Sequence, residues 1–380
     1  MKIGVIGAGR LGICFALLVE KAGYSVLVSD IRKDYVDNLN RKNIITSEPA
    51  VQELLAVSSN LKATTDNKKV IEECDIVYTL VSTPSLPTGS YDVSAVWQVV
   101  EDFKNAEFSV AGKSFVIGCT TNPGDCELFQ KELSDLEVDV FYNPEFIAQG
   151  SIIKDLLRAD MVLIGGPETK HREELVLLYN RLQETTPNIS LMSTTAAEIV
   201  KLATNCFLTT KISYANLVGE TIIRSGLKDE VNVVLSAIGA DSRVGSKYMR
   251  YGYGYGGPCL PRDNRAFAAY SKSLGIEHNL GYTTDKINEE HANFILEQVI
   301  QENVNDLPFY VADIAYKPET DILTESQQFR LVIDLLGAGK TVYIGQNSSA
   351  NNQVRESLEK TYGKRVSFLN PEEKVFVVEL

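Results

Sequence analysis

The sequence predicts an α/β protein with a doubly wound parallel sheet first, a helical middle and a smaller α/β region last. Three observations predict it. Short apolar runs alternate with helix-like stretches from Lys2 to Gly166. A proline-free run with near-3.6 apolar spacing follows from Thr194. Strand-like runs then return from Leu307. Alternation of strand and helix signals is the pattern of a parallel sheet covered by helices.

The elements follow in order. Lys2 to Ile6 is a short apolar run, "GAGRLG" a glycine turn, "ICFALLVEKAG" a helix and "YSVLVSD" a second strand. Together they make a βαβ unit. Further strand-like runs are residues 74–82, 113–120, 138–144 and 160–166. The run from Thr194 to Gly226 then predicts a helix well beyond the mean of about 11–12 residues. Thr195 and Glu198 have capping-box spacing, which places its start there. A helix this long links two domains, packs on a second subunit or lies in a core. Helical signals continue to about Glu290, and strands return at 307–317, 340–345 and 373–380. The predicted domains are 1–193, 194–291 and 292–380.

Composition narrows the classes. The chain has 380 residues, 44% hydrophobic and 23% charged, as in an ordinary globular protein. A net charge of −13 argues against nucleic acid or an anionic membrane as partner. No apolar run reaches the roughly 18 residues of a membrane span, and the N-terminus does not read as a signal peptide. Six scattered cysteines without a CxxC pair suggest a reducing, cytoplasmic compartment. His171, His278 and His291 lack metal-ligand spacing, so no metal is expected.

Gly7, Gly9 and Gly12 form GxGxxG between a strand and a helix, with Arg10 and Leu11 completing the turn. The first glycine permits the tight turn, the second a close approach to a pyrophosphate, the third helix–strand packing. This context makes the N-terminal region a Rossmann domain. Asp30 ends the second strand, where a carboxylate accepts ribose hydroxyls and repels a 2′-phosphate, favouring NAD. Arg32, two residues on, keeps NADP from being excluded, and a solvated loop acid is the plain alternative for Asp30.

The segment "YGYGYGGPCLPRDNRAF", from Tyr251 to Phe267, sets one thiol, Cys259, among glycines and prolines. A small buried cysteine is the bland reading. Reactivity is favoured by Gly256, Gly257 and Pro258, which admit close backbone approach. It is also favoured by a local basic set, Arg243, Lys247, Arg250, Arg262 and Arg265, because positive charge favours the thiolate. The tyrosines and basic residues suggest walls for a pocket. A dinucleotide site with a nucleophilic thiol suggests aldehyde oxidation through a thioester.

At these residues the chain resembles the nucleotide-sugar dehydrogenase family, the UDP-glucose and GDP-mannose dehydrogenases. The likeness runs through "GAGRLG", "VSTPSLPTGSYDVS", "FYNPEFIAQGSIIKD", "EIVKLATNCFLTTKIS", "RVGSKYMRYGYGYGGPCLPRD" and "IAYKPETDILTES" in order. It implies an N-terminal Rossmann domain, a long central helix with a helical dimerisation domain, and a smaller C-terminal Rossmann-like domain that binds the nucleotide sugar. It implies oxidation of a sugar C6 alcohol to a carboxylate with two NAD used in sequence. By resemblance Cys259 is the nucleophile, Lys201 and Asn205 stabilise the oxyanion, Asp263 and Thr120 hold a water, and Glu145 is the hydrolytic base. Thr83, Thr120 and Glu325 match cofactor contacts; Phe146, Lys201, Asn205, Tyr248, Gly256 and Lys317 match substrate contacts. Arg243 matches a residue that reaches the neighbouring subunit's ligand, implying a homodimer. The chain departs from the family pattern at Thr121, Asn122, Gln149, Asp313 and Thr324. The resemblance favours UDP-glucose, with GDP-mannose as the alternative substrate. A two-electron β-hydroxyacid-type dehydrogenase and a non-catalytic sugar-nucleotide binder remain open.

Overall fold

A computed structural model of the chain describes residues 1–46, 48–147, 150–318, 320–345, 347–368, 370–371 and 374–379. It divides into two compact units, Met1–Lys201 and Leu202–Leu380.

The first unit is built on parallel strands. β1 (Lys2–Ile6), α1 (Arg10–Lys21) and β2 (Ser25–Ser29) form the opening βαβ unit. α2 (Lys33–Asn40), α3 (Val51–Val57), β3 (Leu61–Thr64), α4 (Asn67–Glu73) and β4 (Ile76–Thr79) follow. Next come α5 (Ser94–Lys104), β5 (Ser114–Ile117), α6 (Asp125–Leu133) and β6 (Asp139–Tyr142). α7 (Ile152–Leu157), β7 (Val162–Gly165), α8 (Lys170–Leu182) and β8 (Ile189–Met192) complete the sheet. Among the described residues its order is β3-β2-β1-β4-β5-β6-β7-β8. Pairing is parallel throughout except for one antiparallel bridge, Tyr142 to Gly165, where the chain reverses direction. The parallel expectation therefore holds for β1 to β6 and gives way to a reversed β7–β8 pair. Strands buried on both faces are mostly apolar, as "SFVI" and "IVYT" are, and every residue of these two is buried, Ser114 and Thr79 included.

α9 (Thr194–Arg224) is the long helix. Its start departs from the capping-box expectation. Thr195 Oγ1 donates to Glu127 instead, at 2.7 Å. Glu198 reaches the N-terminus of α6, accepting from Gly124 N at 2.7 Å and Cys126 N at 3.1 Å. The neighbouring helix offers unpaired N–H groups, and a fully buried carboxylate satisfies them.

In the second unit α9 is followed by α10 (Val231–Ala240), α11 (Leu260–Ser273) and α12 (Leu280–Glu302). A small sheet follows: β9 (Phe309–Val311), α13 (Gln327–Gly337), β10 (Val342–Ile344), α14 (Ser348–Tyr362), β11 (Val366–Ser367) and β12 (Phe376–Val377). Its described strands pair in the order β11-β10-β9-β12, all parallel. Ile295 and Val299 of α12 share a core with Phe309, Val332, Leu335 and Val342. Among the described residues no helix is long and apolar enough to cross a membrane.

Candidate functional site

The first unit supplies a dinucleotide cradle. Gly7 has φ 96°, a left-handed conformation that glycine adopts freely. Its N–H and that of Ala8 donate to Ser29 O, at 2.9 and 3.1 Å. A Cβ on Gly12 would lie 1.9 Å from Gly7 O, so only glycine lets α1 start this close to the turn. A Cβ on Gly9 would meet nothing within 4 Å. No protein atom requires a glycine there, so the smooth surface suits a ligand. Arg10 and Leu11 open α1, which starts with neither a side-chain cap nor an acidic residue in its first turn. Its N–H groups and helix dipole suit a diphosphate.

Asp30 follows β2, as the ribose site requires. Arg32 forks onto its carboxylate, with Nε to Oδ1 and NH2 to Oδ2 both at 2.8 Å. The guanidinium also lies 4.2 Å from the Tyr35 ring centroid. Partial burial opposes ionisation of Asp30, yet the Arg32 hydrogen bonds outweigh it and hold the carboxyl below its ordinary range. Arg32 is thus turned towards the acid that favours NAD. Thr83 is buried after β4, and Thr120 is half-buried after β5. These residues fit NAD.

The same unit places a carboxylate beside a cation. Glu145 follows β6, with the Tyr179 hydroxyl 2.9 Å from its Oε1. Burial pushes Glu145 up to about 7, against the opposing Tyr179 hydrogen bond and Lys201 charge. A carboxyl poised near neutrality serves as acid or base at physiological pH. Lys201 Nζ donates to the backbone oxygen of Glu145 at 2.8 Å and lies 4.8 Å from the Phe146 ring centroid. Next to Thr120, Thr121 Oγ1 donates to Glu198 at 2.7 Å, and Asn122 bonds Tyr91 N and O at 2.7 and 2.9 Å. These departures from the family pattern are fixed parts of the local structure.

The second unit holds the thiol. Cys259 occupies the N-cap position of α11 and is exposed, whereas the other five cysteines are buried. A helix N-terminus favours negative charge in its first turn. Asp263, one turn on, is 2% exposed, and Asn205 of α9 donates to its Oδ2. The structure thus joins Asn205 to the thiol's helix and Lys201 to the Glu145 loop. A Cβ on Gly256 would lie 2.3 Å from Glu325 O, and one on Gly257 2.5 Å from the Tyr316 ring. Tyr316 precedes Lys317, so the glycines pack against the Lys317 and Glu325 segment.

Several expectations need revision. The basic set is thinner than its count: Arg265 bonds Asp285 at 2.9 Å and forks onto Glu325 at 2.6 and 2.9 Å. Arg243 forks onto Asp241. Glu325, expected at the cofactor, already bonds Arg265. The tyrosines are packing residues more than pocket walls. Tyr255 is 3% exposed, Tyr251 lies on Gly219, and Tyr253 packs on the C-terminal core. Arg243 and Tyr248 are exposed on the segment after α10, with Tyr248 at φ 65°. Asp313 accepts from Ala315 N and Asn347 Nδ2, and Thr324 is exposed. Gln149 lies outside the described residues. Sequence reasoning missed His291, Asn288 and Asn216, which grip the thiol-bearing loop from distant helices, and Glu220, which bonds His291; none carries a local signal.

The comparisons with known proteins agree with this geometry. The NAD-binding domain of the UDP-glucose/GDP-mannose dehydrogenase family matches residues 1–183, and its central domain matches residues 195–290. The UDP-glucose 6-dehydrogenase AglM of Haloferax volcanii is 30% identical over 94% of this chain and 85% of its own length. A UDP-glucose 6-dehydrogenase of Rhizobium meliloti is 29% identical over 94% and 84%. The structure of a UDP-glucose dehydrogenase from Pyrobaculum islandicum superposes with a TM-score of 0.84 at 27% identity, over 97% of this chain and 86% of that one. A UDP-D-ManNAc dehydrogenase from Pyrococcus horikoshii shares the fold, with TM-score 0.78 at 21% identity over 99% and 98%. The protein is therefore an oxidoreductase with NAD as cofactor, and the chain belongs to the UDP-glucose/GDP-mannose dehydrogenase family.

Proposed function

We propose that the protein oxidises the C6 alcohol of UDP-glucose to the carboxylate of UDP-glucuronate, consuming two NAD and one water and yielding two NADH. The observation that carries this reading is Cys259: one exposed thiol among buried ones, at the start of α11, with Asp263 one turn behind it. NAD, held by Gly7, Gly9, Arg10, Leu11, Gly12, Asp30, Thr83 and Thr120, supplies the hydride acceptor twice. Cys259 adds to the C6 aldehyde and holds it as a thiohemiacetal, then as a thioester, so no aldehyde escapes. Lys201 and Asn205 donate to the oxygen as its charge develops. Glu145, with its raised affinity for a proton, takes one from the water that cleaves the thioester and frees the thiol. Asp263 and Thr120 hold that water. Phe146, Tyr248, Gly256 and Lys317 bind the sugar nucleotide, and the 292–380 region forms its domain.

Likeness to UDP-glucose enzymes over most of the chain favours that sugar over GDP-mannose. Phe207, Tyr214 and Leu217 make an exposed apolar stripe along α9, 66%, 48% and 47% exposed. A second copy of the chain covers it, with Arg243 reaching the partner's ligand. Six cysteines, none of them in a disulfide, fit a reducing cytoplasm.

The test counts NADH per acid with NAD and a panel of UDP- and GDP-sugars. Two NADH per uronate with UDP-glucose is expected. Cys259→Ser is expected to lower acid formation by about three orders of magnitude, the scale of losing an essential nucleophile. One NADH per turnover with a free aldehyde indicates two-electron chemistry, and ligand binding without NADH indicates a binder.

A further inference from the structure

The thiol follows a glycine-rich loop that has little core of its own, so something else must fix it. The loop is gripped by one face of α12, where Asp285, Asn288 and His291 recur at three-residue spacing. Tyr255 OH donates to Asp285 at 3.0 Å. Asn288 accepts from Tyr255 N at 2.9 Å and donates to Tyr255 O at 3.0 Å. Its Oδ1 also lies 2.1 Å from where a Cβ on Gly254 would sit. Opposite, Asn216 of α9 accepts from Gly252 N at 3.1 Å.

His291 differs from the other anchors. Its Nδ1 lies 2.6 Å from Glu220 Oε1 and its Nε2 lies 2.7 Å from Gly252 O. Both partners accept, so the ring serves both only with two protons, or with one shared onto Glu220. Such a bond is charge-assisted and stronger than a neutral one. At 1% exposure, water cannot readily replace it. The Tyr251 ring meets the imidazole edge-on at 5.6 Å, closing the site.

We infer that His291, charge-assisted by Glu220, is the positioning residue that fixes the Gly252 end of the loop and so sets the approach of the Cys259 thiol. The inference rests on the proposed role of Cys259, but its structural half is readable without turnover. The anchor is part of the catalytic geometry without touching a reacting atom. It joins α9 to α12 across the loop backbone, so loss of its N–H removes one of the two side-chain holds on Gly252, Asn216 being the other, and loosens the approach of the thiol.

Two readouts test it: steady-state kinetics with UDP-glucose and NAD, and the rate at which iodoacetamide labels Cys259, the exposed thiol. His291→Phe keeps an aromatic ring and removes both N–H groups. It is expected to lower kcat about tenfold or more while KM for the sugar nucleotide moves less than about twofold, since small misplacements of a reacting group cost rate. The labelling rate is expected to change about threefold or more, by the same loss of positioning. Glu220→Leu, which leaves Nδ1 without its acceptor, is expected to act in the same direction. Glu220→Gln, which keeps an acceptor for Nδ1 but removes the charge, is expected to fall between wild type and Glu220→Leu in both kcat and labelling. If His291→Phe does not fold, the two Glu220 variants decide. Wild-type kcat and labelling in His291→Phe or Glu220→Leu, with only a lower Tm, would overturn the inference. If the wild type makes no NADH from any nucleotide sugar, the proposed reaction fails while labelling still reports the anchor.

Discussion

The diphosphate turn and the thiol loop are both glycine-rich, yet they are held by opposite means. The turn from Gly7 to Gly12 is fixed by its own backbone: two N–H groups on Ser29 O, and a helix start so close that Gly12 tolerates no Cβ. The loop from Gly252 to Cys259 is fixed by side chains from elsewhere, Asn216 on α9 and Asp285, Asn288 and His291 on α12, with Glu220 of α9 bonded to His291. Backbone sterics are local, so the first motif declares itself in a few residues. Side-chain anchoring is remote, so the second motif shows only its glycines.

The largest expected effect breaks the turn. Gly12→Ala puts a methyl 1.9 Å from Gly7 O, a backbone atom that cannot move without unmaking the turn. A loss of about 3 kcal/mol or more is expected, at the upper end of overpacking costs. Gly9→Ala is the contrast, because its Cβ meets nothing in the protein. Its unfolding free energy is expected to fall by only about 0.5–1 kcal/mol, the cost of alanine against glycine at the N-cap of α1. NAD affinity is nevertheless expected to fall about tenfold, because the methyl occupies the pyrophosphate approach. Urea unfolding and NAD titration of both variants check the pair. Equal stability losses would show that the turn is not held by sterics at Gly12.

What was legible follows the same division. The βαβ opening, Asp30 and the long helix could be read because each depends on residues close in sequence. β3 and β8 were missed: "LKAT" and "ISLM" are short and only partly buried, with little apolar contrast. The capping box at Thr195 was misread because spacing alone does not say which helix end Glu198 serves. The basic set around Cys259 was overcounted because Asp285 and Glu325, which neutralise Arg265, lie far along the chain. In the candidate site, Cys259 stood out by its glycine-rich, basic setting, while Asp263 and Glu145 entered by resemblance alone. The grip of His291 was not legible, since one histidine in a polar helix gives no signal of the carboxylate it meets.

Glu198 sharpens the contrast within the first unit, where one side chain does what the turn does with backbone. It is fully buried, and burial pushes its carboxyl up to about 7 from 4.5, against the opposing hydrogen bonds from Cys126, Thr121 and Gly124. Between those values the folded chain keeps a proton that the unfolded chain has lost. Its contribution is therefore fully present below the unfolded value and is lost as pH rises through about 7. Glu198→Gln cannot ionise. Its stability deficit relative to wild type is expected to shrink by on the order of 2 kcal/mol between pH 5 and pH 8. Urea unfolding at the two pH values checks this. A deficit that grows with pH would mean the carboxylate form is the one the fold prefers. Glu145 shifts in the same direction, but it is present in both proteins and cancels from the difference.

The smallest effect comes from a place where the chain uses a left-handed residue without a glycine. Ala50 caps α3 at φ 65°, a conformation in which a Cβ crowds the backbone. Gly12 is needed for space and not for its dihedrals, whereas Ala50 strains only its own dihedrals. Ala50→Gly removes that strain but adds freedom to the unfolded chain, and the two terms oppose each other. The strain term is the larger at a positive φ, so a net gain of about 0.5 kcal/mol is expected. A rise in the urea midpoint with unchanged slope reads that gain directly. A lower midpoint would mean that the methyl packs well enough in the first unit to outweigh its strain, placing Ala50 with the side-chain anchors rather than the backbone turns.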